Sequence, residues 1–209
     1  MITAIITHYY DIRIRNLQPI VHSLVNQVDE ILIWNNDKPL PDGVMGWLTG
    51  VANVHVIDSA KNYGCQGRFM AMKYTQRDHD ILFHDNDVIA SVKSVAKLRE
   101  ATESQNGDIV TGTGEWRVFN GEAFFITRGQ FELVPRLTLN KILQEWKNDE
   151  RSLHDDIWLS VTSHKLGITR RRIPISWKNF MDHVGFWRET PNFEKERQRV
   201  FEWLMRGDR

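Results

Sequence analysis

Short apolar runs alternate with longer stretches of helical periodicity through the first half of the chain. The runs, rich in β-branched residues, predict strands at residues 2–7, 30–34, 54–58, 80–84 and 108–111. The stretches between them predict helices at 13–27, 67–76 and 91–103, with Ser91 as the N-cap of the third. This alternation is typical of a mostly parallel α/β sheet covered by helices.

The second half of the chain has a different pattern. Segments 115–119 and 123–127 flank Asn120-Gly121, which predicts a β-hairpin with a tight turn. Helices are predicted at 139–146, 155–166 and 193–205, and an Arg-, Trp- and His-rich loop is predicted before the last of them. The last helix would bury a stripe made of Phe193, Val200, Phe201 and Leu204. We find no linker or repeat and therefore predict one domain, 1–209.

Composition narrows the function classes. The 209 residues are 41% hydrophobic, which is enough for a sizeable core. Basic and acidic residues balance at 27 each, so no global charge favours nucleic acid or an anionic membrane surface, and we expect no nucleic-acid partner. Cys65 is the only cysteine, which excludes an intramolecular disulfide and suits a reducing compartment.

The apolar runs are all far shorter than the ~20 residues that span a bilayer, and the N-terminus lacks the pattern of a signal peptide. We therefore expect no membrane span and a cytoplasmic location. The chain stops directly after an amphipathic segment, so a longer, multidomain parent polypeptide also fits this end.

Asp85-Asn86-Asp87 directly follows the apolar run at 81–83. Two carboxylates at the end of a strand can converge on one divalent cation and on a nucleoside diphosphate that the cation carries. The alternative is a strand-ending turn, which Asp and Asn favour for backbone reasons. Thr7, Asn35-Asn36 and residues 58–62 end other predicted strands, and ligands of open α/β sheets bind at that edge.

Five groups of residues, in one order along nearly the whole chain, resemble nucleotide-sugar glycosyltransferases of the GT-A fold, most closely the exostosin-like branch. They are Ile5-Ile6-Thr7, residues 31–36, Asn62 with Arg68, Asp85-Asn86-Asp87, and residues 154–158. The resemblance implies a Rossmann-like, mostly parallel central sheet flanked by helices, with a small antiparallel hairpin. It also implies a nucleotide-binding half at 1–110 and an acceptor-binding, catalytic half at 111–209. A glycosyltransferase of a large algal virus, acting in host cytoplasm, would share this compact form.

The resemblance implies a set of contacts with a UDP-sugar donor. Thr7 and Tyr9 would line the uridine pocket, and Asn36 would face the base or ribose. Asn62 would contact the nucleotide, and Arg68 would contact phosphate or base, with Arg13 or Arg15 as alternatives for which a solvated helix face is the simpler expectation. Asp85 and Asn86 would address the ribose or donor sugar. Asp87, Asp85 and His183 would bind Mn²⁺ or Mg²⁺.

On the acceptor side, the resemblance assigns catalysis to Asp155 and Asp156, which open a predicted helix. Asp156 would act as base in an inverting reaction or stabilise an oxocarbenium-like transition state in a retaining one, and the exostosin-like match favours retention. Asp155 also suits a purely structural place at the helix N-terminus. Tryptophans that could stack on an acceptor sugar are Trp116, Trp158, Trp177 and Trp187.

The sequence therefore predicts metal-dependent sugar transfer from a UDP-sugar to a hydroxyl of a glycan acceptor. A sugar-nucleotide nucleotidyltransferase is one alternative, but it would carry a glycine-rich, lysine-containing loop after its first strand. Residues 7–11 contain neither glycine nor lysine. The other alternative is a non-catalytic nucleotide-sugar or carbohydrate-binding module, which the presence of both acidic groups disfavours.

Overall fold

The computed structural model describes residues 1–9, 11–36, 38–104, 109–128, 130–146, 154–180 and 191–207. The strands in these ranges are β1 (Ile2–His8), β2 (Glu30–Asn35), β3 (Val54–Asp58), β4 (Asp80–Asp85), β5 (Val88–Ala90), β6 (Ile109–Thr111), β7 (Gly114–Phe119), β8 (Glu122–Thr127), β9 (Phe131–Val134), β10 (Arg170–Arg172) and β11 (Trp177–Asn179). Seven strands form the central sheet in the order β10-β6-β9-β4-β1-β2-β3. Strand β9 runs antiparallel to β4 and β6, and the other neighbours are parallel. The predicted mostly parallel sheet is confirmed.

Helices cover both faces of this sheet. They are α1 (Ile14–Leu24), α2 (Asp42–Thr49), α3 (Gly67–Ala71), α4 (Ser94–Glu103), α5 (Arg136–Leu143), α6 (Asp155–Lys165) and α7 (Phe193–Arg206). Ile6 of β1 packs with Leu17 of α1 and Leu98 of α4, whereas its neighbour Ile5 packs on the other face among residues of α3, α5 and α6. Within the described ranges, no helix has the length and apolar character needed to cross a membrane.

Several predicted element boundaries are wrong for local reasons. The expected helix 67–76 is α helix only to Ala71 and continues as a 3₁₀ turn, Met72–Tyr74. Ser91 is not the N-cap, because the helix begins at Ser94 with Lys93 at the cap position. The Ser91 hydroxyl instead bonds to Ser94 Oγ at 2.8 Å and to the Ser176 carbonyl at 2.7 Å. Helix α2 and strands β5, β9, β10 and β11 had no prediction, since each is short or interrupted by Gly, Pro or charged residues.

Strands β7 and β8 form the predicted hairpin. Asn120 and Gly121 both have positive φ, at 52° and 84°, as a two-residue hairpin turn of the primed type requires. Side chains alternate across the ladder, so Phe124 and Ile126 pack inward against α6 and the buried Phe201 of α7. The hairpin thereby joins the last two helices into one unit.

The central sheet contains a fully buried acid. Glu132 of β9 has no exposed surface, and its carboxyl group lies near Thr127 and Arg170. Burial raises its pKa to about 7, against the opposing influence of Thr127 and Arg170. Desolvation penalises the charged form, so the folded protein keeps the proton of this carboxyl group to a higher pH than the unfolded chain does.

The buried acid makes stability depend on pH in a defined direction. Above pH 4.5 the unfolded chain gains stability by ionising Glu132, while the folded chain keeps the proton until about pH 7. We therefore expect Glu132→Gln to stabilise the protein relative to wild type by on the order of 2 kcal/mol more at pH 8 than at pH 4.5. Urea denaturation at both pH values measures this difference, and an equal effect at the two would contradict a neutral, buried Glu132.

Candidate functional site

The carboxyl ends of β1, β2 and β4 bring the predicted donor residues to one edge of the sheet. Thr7 lies opposite Asp85 in the β1–β4 ladder and opposite Trp34 in the β1–β2 ladder. The Thr7 hydroxyl is buried and has no hydrogen-bond partner among the described residues. The first residues of β1 and β4, Ile2 and Asp80, are 78 positions apart in the chain, so this edge exists only because the two strands pair in the folded protein.

Arg68 connects the two acidic motifs at this edge. From α3, its Nη2 donates to Asp85 Oδ1 at 2.8 Å, and its Nε lies 2.7 Å from Asp155 Oδ2 at the start of α6. The guanidinium is buried, and although burial by itself would lower its pKa, Asp155 and Asp85 raise the pKa overall. Arg68 is therefore a fixed cation shared by the two acidic motifs.

The two acids that contact Arg68 both have raised pKa values, mainly because they are buried. Burial raises the pKa of Asp85, and Asp87 and Asp155 add to the rise against the attraction of Arg68. The pKa of Asp155 is raised for the same first reason, with Asp156 as its acidic neighbour. Since the Asp85 side chain is still 27% exposed, solvent moderates the effect there. The single positive charge of Arg68 faces two carboxyl groups, Asp85 and Asp155, and cannot neutralise both when they are ionised.

Asp87 and Asn86 are held by a second arginine. Arg13 Nη2 lies 3.0 Å from Asp87 Oδ2, and Arg13 Nη1 donates to Asn86 Oδ1 at 2.7 Å. Asn86 Nδ2 in turn donates to the Tyr9 carbonyl at 3.2 Å. The expectation that Arg13 lies on a solvated helix face is wrong, because Arg13 is buried beneath the triplet; Arg15, by contrast, is exposed.

Asn36 organises the loop that precedes α3. Its Oδ1 accepts from Trp34 Nε1 at 2.8 Å and from the Tyr63 amide at 3.1 Å, and its Nδ2 donates to the Gly64 carbonyl at 2.6 Å. Asn62 is exposed and accepts from the Gly64 amide at 2.7 Å. The described contacts of Asn36 are thus all within the protein, and its contact with a base or ribose stays a prediction.

Asp156 is held by residues that sequence reasoning missed. Arg197 of α7 donates from Nη1 to Asp156 Oδ1 at 3.1 Å and from Nη2 to Asp156 Oδ2 at 2.9 Å. Arg197 Nη2 also reaches Glu115 Oε1 at 3.2 Å. Although burial raises the pKa of Glu115, hydrogen bonds from Arg128 and Arg117 and the charge of Arg197 bring it down to about 2. Glu115 is therefore an anchored anion beside the acidic pair.

A divalent cation fits the chemistry of the Asp85–Asp87 pair. Among the residues that the structure describes, no three His, Cys, Asp or Glu side chains are grouped to hold a metal ion. Asp85 and Asp87 nevertheless present two carboxylates at one strand end, with side chains 27% and 23% exposed, and carboxylate oxygens are ligands that Mg²⁺ and Mn²⁺ prefer. The third predicted ligand, His183, lies outside the described residues.

The tryptophans that were predicted to stack on an acceptor sugar lie in different environments. Trp116 is 70% exposed on the hairpin and packs beside Phe125, with ring centroids 5.4 Å apart. Trp177 is half-buried on β11. The prediction for Trp158 is wrong: it lies in the core, 8% exposed, against Phe69. Trp187 lies outside the described residues.

Comparison with known proteins identifies the family. The family model described as glycosyl transferase family 2 matches residues 3–174, which include both acidic motifs and, apart from Ile2, all seven strands of the central sheet. The chain belongs to glycosyl transferase family 2. Membership confirms the glycosyltransferase class that the sequence predicts. No curated protein matches the chain in sequence.

Solved structures of S. aureus TarS share the fold of this family 2 chain. TarS 1–349 in complex with UDP matches with a TM-score of 0.65 at 12% identity, covering 96% of this chain and 64% of that one. TarS 1–349 in complex with UDP-GlcNAc matches with 0.63 at 11% identity, covering 88% and 61%. TarS itself matches with 0.64 at 13% identity, covering 96% and 38%. This chain thus spans less than two thirds of the TarS chains, and the likeness confirms the GT-A fold.

The exostosin-like branch and the viral source do not follow from these matches and stay predictions. Arg13 and Arg68 both lie inside the family 2 segment, whereas Arg197 lies beyond its last matched residue, 174. No sequence signal distinguishes Arg197 from the other charged residues of its helix. The position of Glu115 in the predicted hairpin indicates that its backbone is held in a strand. It does not indicate the partners of the side chain, because Arg128 and Arg197 lie further along the chain.

Arg68 should be essential to the stability of this edge. Replacing it by Gln leaves Asp85 and Asp155 buried without their shared counter-charge, so we expect a loss of about 3 kcal/mol at pH 8. The loss should shrink at pH 5, because both carboxyl groups can then take up protons. Urea unfolding at the two pH values checks this, with the exposed Arg15→Gln as control. A small or pH-independent loss would contradict the bridging role.

Proposed function

We propose that this protein is a metal-dependent glycosyltransferase that moves a sugar from a UDP-sugar to a hydroxyl of a glycan acceptor. The observation that carries the proposal is the Arg68 bridge, which places the Asp85–Asp87 triplet and the Asp155–Asp156 pair in one cluster at the carboxyl edge of the sheet. A donor-binding motif and a candidate base must lie this close for sugar to pass directly between substrates. The bound ligands of the related TarS structures, UDP and UDP-GlcNAc, support a UDP-sugar as donor.

The donor would lie across the ends of β1, β2 and β4. The buried, unpartnered hydroxyl of Thr7 supports a hydrogen bond to the uridine there, beside Tyr9. Asn36 would shape the pocket by holding the loop that carries Asn62, and Asp85 would address the ribose or the sugar. Arg68 and Arg13 provide positive charge near the diphosphate while fixing the acids around it.

Asp85, Asp87 and His183 would hold Mn²⁺ or Mg²⁺. Bound there, the cation would neutralise charge on the diphosphate leaving group. The Asp87 carboxylate, which Arg13 already orients at 3.0 Å, is the first choice for a direct ligand.

Asp156 would take the proton of the acceptor. In the transfer step, the acceptor oxygen forms a bond to the anomeric carbon while the bond from that carbon to the β-phosphate oxygen breaks. The electron pair of the broken bond leaves with UDP, and the hydroxyl proton passes to the Asp156 carboxylate. This single displacement inverts the anomeric centre. Retention, expected from the exostosin-like resemblance, is the alternative in which Asp156 stabilises an oxocarbenium-like transition state, and NMR of the product's anomeric proton distinguishes the two.

The acceptor would approach from the side of the hairpin and β11. Trp116 offers an exposed ring for stacking on a sugar, and the half-buried Trp177 lies opposite Ala90 in the β11–β5 ladder, where β5 directly follows the triplet. The hydroxyl to be glycosylated would then reach Asp156 at the start of α6.

UDP release from a panel of UDP-sugars, with Mn²⁺ or with EDTA, tests the function directly. Release that depends on Mn²⁺ and is specific for one or two sugars is the expected result, because water can replace the acceptor. Binding of UDP without any release, even after glycan acceptors are added, would indicate a binding module instead. No binding at all would refute the proposal.

Asp87→Asn should abolish Mn²⁺-dependent UDP binding, because the neutral amide removes the charge on the proposed ligand. Isothermal calorimetry with UDP, with and without Mn²⁺, measures the effect. Asp42→Asn, an exposed acid at the start of α2, serves as the control and should bind as wild type. Unchanged Mn²⁺ dependence in the Asp87 variant would remove this residue from the metal site.

Asp156→Asn should keep donor binding and lose transfer, since Asn preserves the shape of the side chain but cannot take a proton. A fall in kcat of about 10²-fold or more is expected for a general base. Steady-state transfer kinetics, together with calorimetry for UDP affinity, separate the two effects. Turnover at the wild-type rate would exclude Asp156 as the base.

A further inference from the structure

The proposed base is held by a helix outside the segment that matches the family. The family match ends at residue 174, whereas α7 begins at Phe193 and supplies Arg197. In the part of the chain that the structure describes, Arg197 is the side chain that hydrogen-bonds both oxygens of Asp156. The contact therefore goes beyond what family membership assigns.

The two carboxylate oxygens of Asp156 have different surroundings. Oδ1 accepts from the Ile157 amide at 2.9 Å and from Arg197 Nη1 at 3.1 Å. Oδ2 accepts from Arg197 Nη2 at 2.9 Å. A carboxylate oxygen can accept two hydrogen bonds, so Oδ2 keeps a lone-pair direction for a substrate hydroxyl.

We propose that Arg197 is a positioning residue for the transfer reaction, which fixes the orientation of the Asp156 carboxylate and directs its Oδ2 towards the acceptor hydroxyl. The proposal rests on the proposed function, in which Asp156 is the base. A planar guanidinium that binds a carboxylate through two nitrogens fixes its orientation as well as its charge.

The position of Arg197 is itself fixed by the hairpin and the core. Arg117 of β7 donates to Gln198 at 3.0 Å and to Glu194 at 3.1 Å, on either side of Arg197 along α7. One turn further on, Phe201 is fully buried against Ile157 and Val161 of α6. Helix α7 therefore cannot shift without breaking both contacts, and Arg197 is pre-organised.

Several charged and titratable groups act on Asp156. They are Arg197 of α7, Arg68 of α3, Asp155 and His154 at the start of α6, Glu132 of β9, Cys65 before α3, and Glu115 of β7 through Arg197. Arg68 is already engaged by Asp85 and Asp155. Arg197 is therefore the cation that contacts Asp156 directly, and Glu115 is an anion that competes with Asp156 for Arg197.

Two variants should move the pH dependence of transfer in opposite directions. With Arg197→Gln, the acidic limb of the kcat profile should move up by about 1 pH unit or more, because an opposite charge at contact distance has been lost. With Glu115→Gln, the limb should move to lower pH, because Arg197 then serves Asp156 alone. Both profiles are measured at saturating Mn²⁺ and UDP-sugar, and KM for the donor should stay within about twofold, since neither residue contacts the nucleotide edge.

The controls separate positioning from folding and from failure of the proposed function. Arg206→Gln, which removes an exposed charge from the same helix, should keep the wild-type limb. Arg197→Lys should move the limb back towards wild type because it restores the charge without the paired geometry. A limb unchanged in both Arg197→Gln and Glu115→Gln would overturn the proposal, and if Arg197→Gln does not fold, the downward shift in Glu115→Gln decides. Absence of transfer by the wild type would instead refute the proposed function.

Discussion

The site depends on a single buried cation, the guanidinium of Arg68. It lies 2.8 Å from an oxygen of Asp85 and 2.7 Å from an oxygen of Asp155, two acids that belong to opposite halves of the chain. Without it, burial of these carboxylates would destabilise the fold, because an uncompensated charge in a protein interior costs several kcal/mol. The bridge therefore does two things: it makes an acidic cluster compatible with folding, and it fixes the distance between the proposed donor site and the proposed acceptor site.

The same arrangement is repeated around this edge of the sheet. Arg13 holds Asp87, Arg68 holds Asp85 and Asp155, and Arg197 holds Asp156, each from a different helix or turn. The net charge of the whole chain is zero, so it gives no indication of this local arrangement of ion pairs. Such fixed charges are pre-organised for a reaction in which negative charge develops on a leaving diphosphate, since they need not reorient when the charge appears. Glu132 inside the sheet shows the other response of a buried acid, which is a raised pKa that favours the protonated form.

Much of the fold was predictable because its signals are local. The β-branched runs of β1 to β4, the Asn120-Gly121 turn and the stripe of α7 each follow from periodicity or turn chemistry within one segment. Elements such as α2, β9 and β10 were missed because their sequences are short or contain glycine and charges, and only neighbouring strands stabilise them. The same limit misplaced Trp158: a tryptophan next to an acidic pair suits a binding surface, yet its helix turns it into the core against Phe69.

The sequence by itself determined the chemistry of the site: two acidic motifs, their order along the chain, and the glycosyltransferase class that the family match confirms. Only the tertiary structure decided the partners of those acids. Arg13 was expected on a solvated face and lies under Asp87, and Arg197 gave no signal at all. The physical reason is that a motif reflects requirements of neighbouring residues in one segment, whereas an ion pair between residues 41 positions apart, such as Asp156 and Arg197, exists only once separate elements have packed.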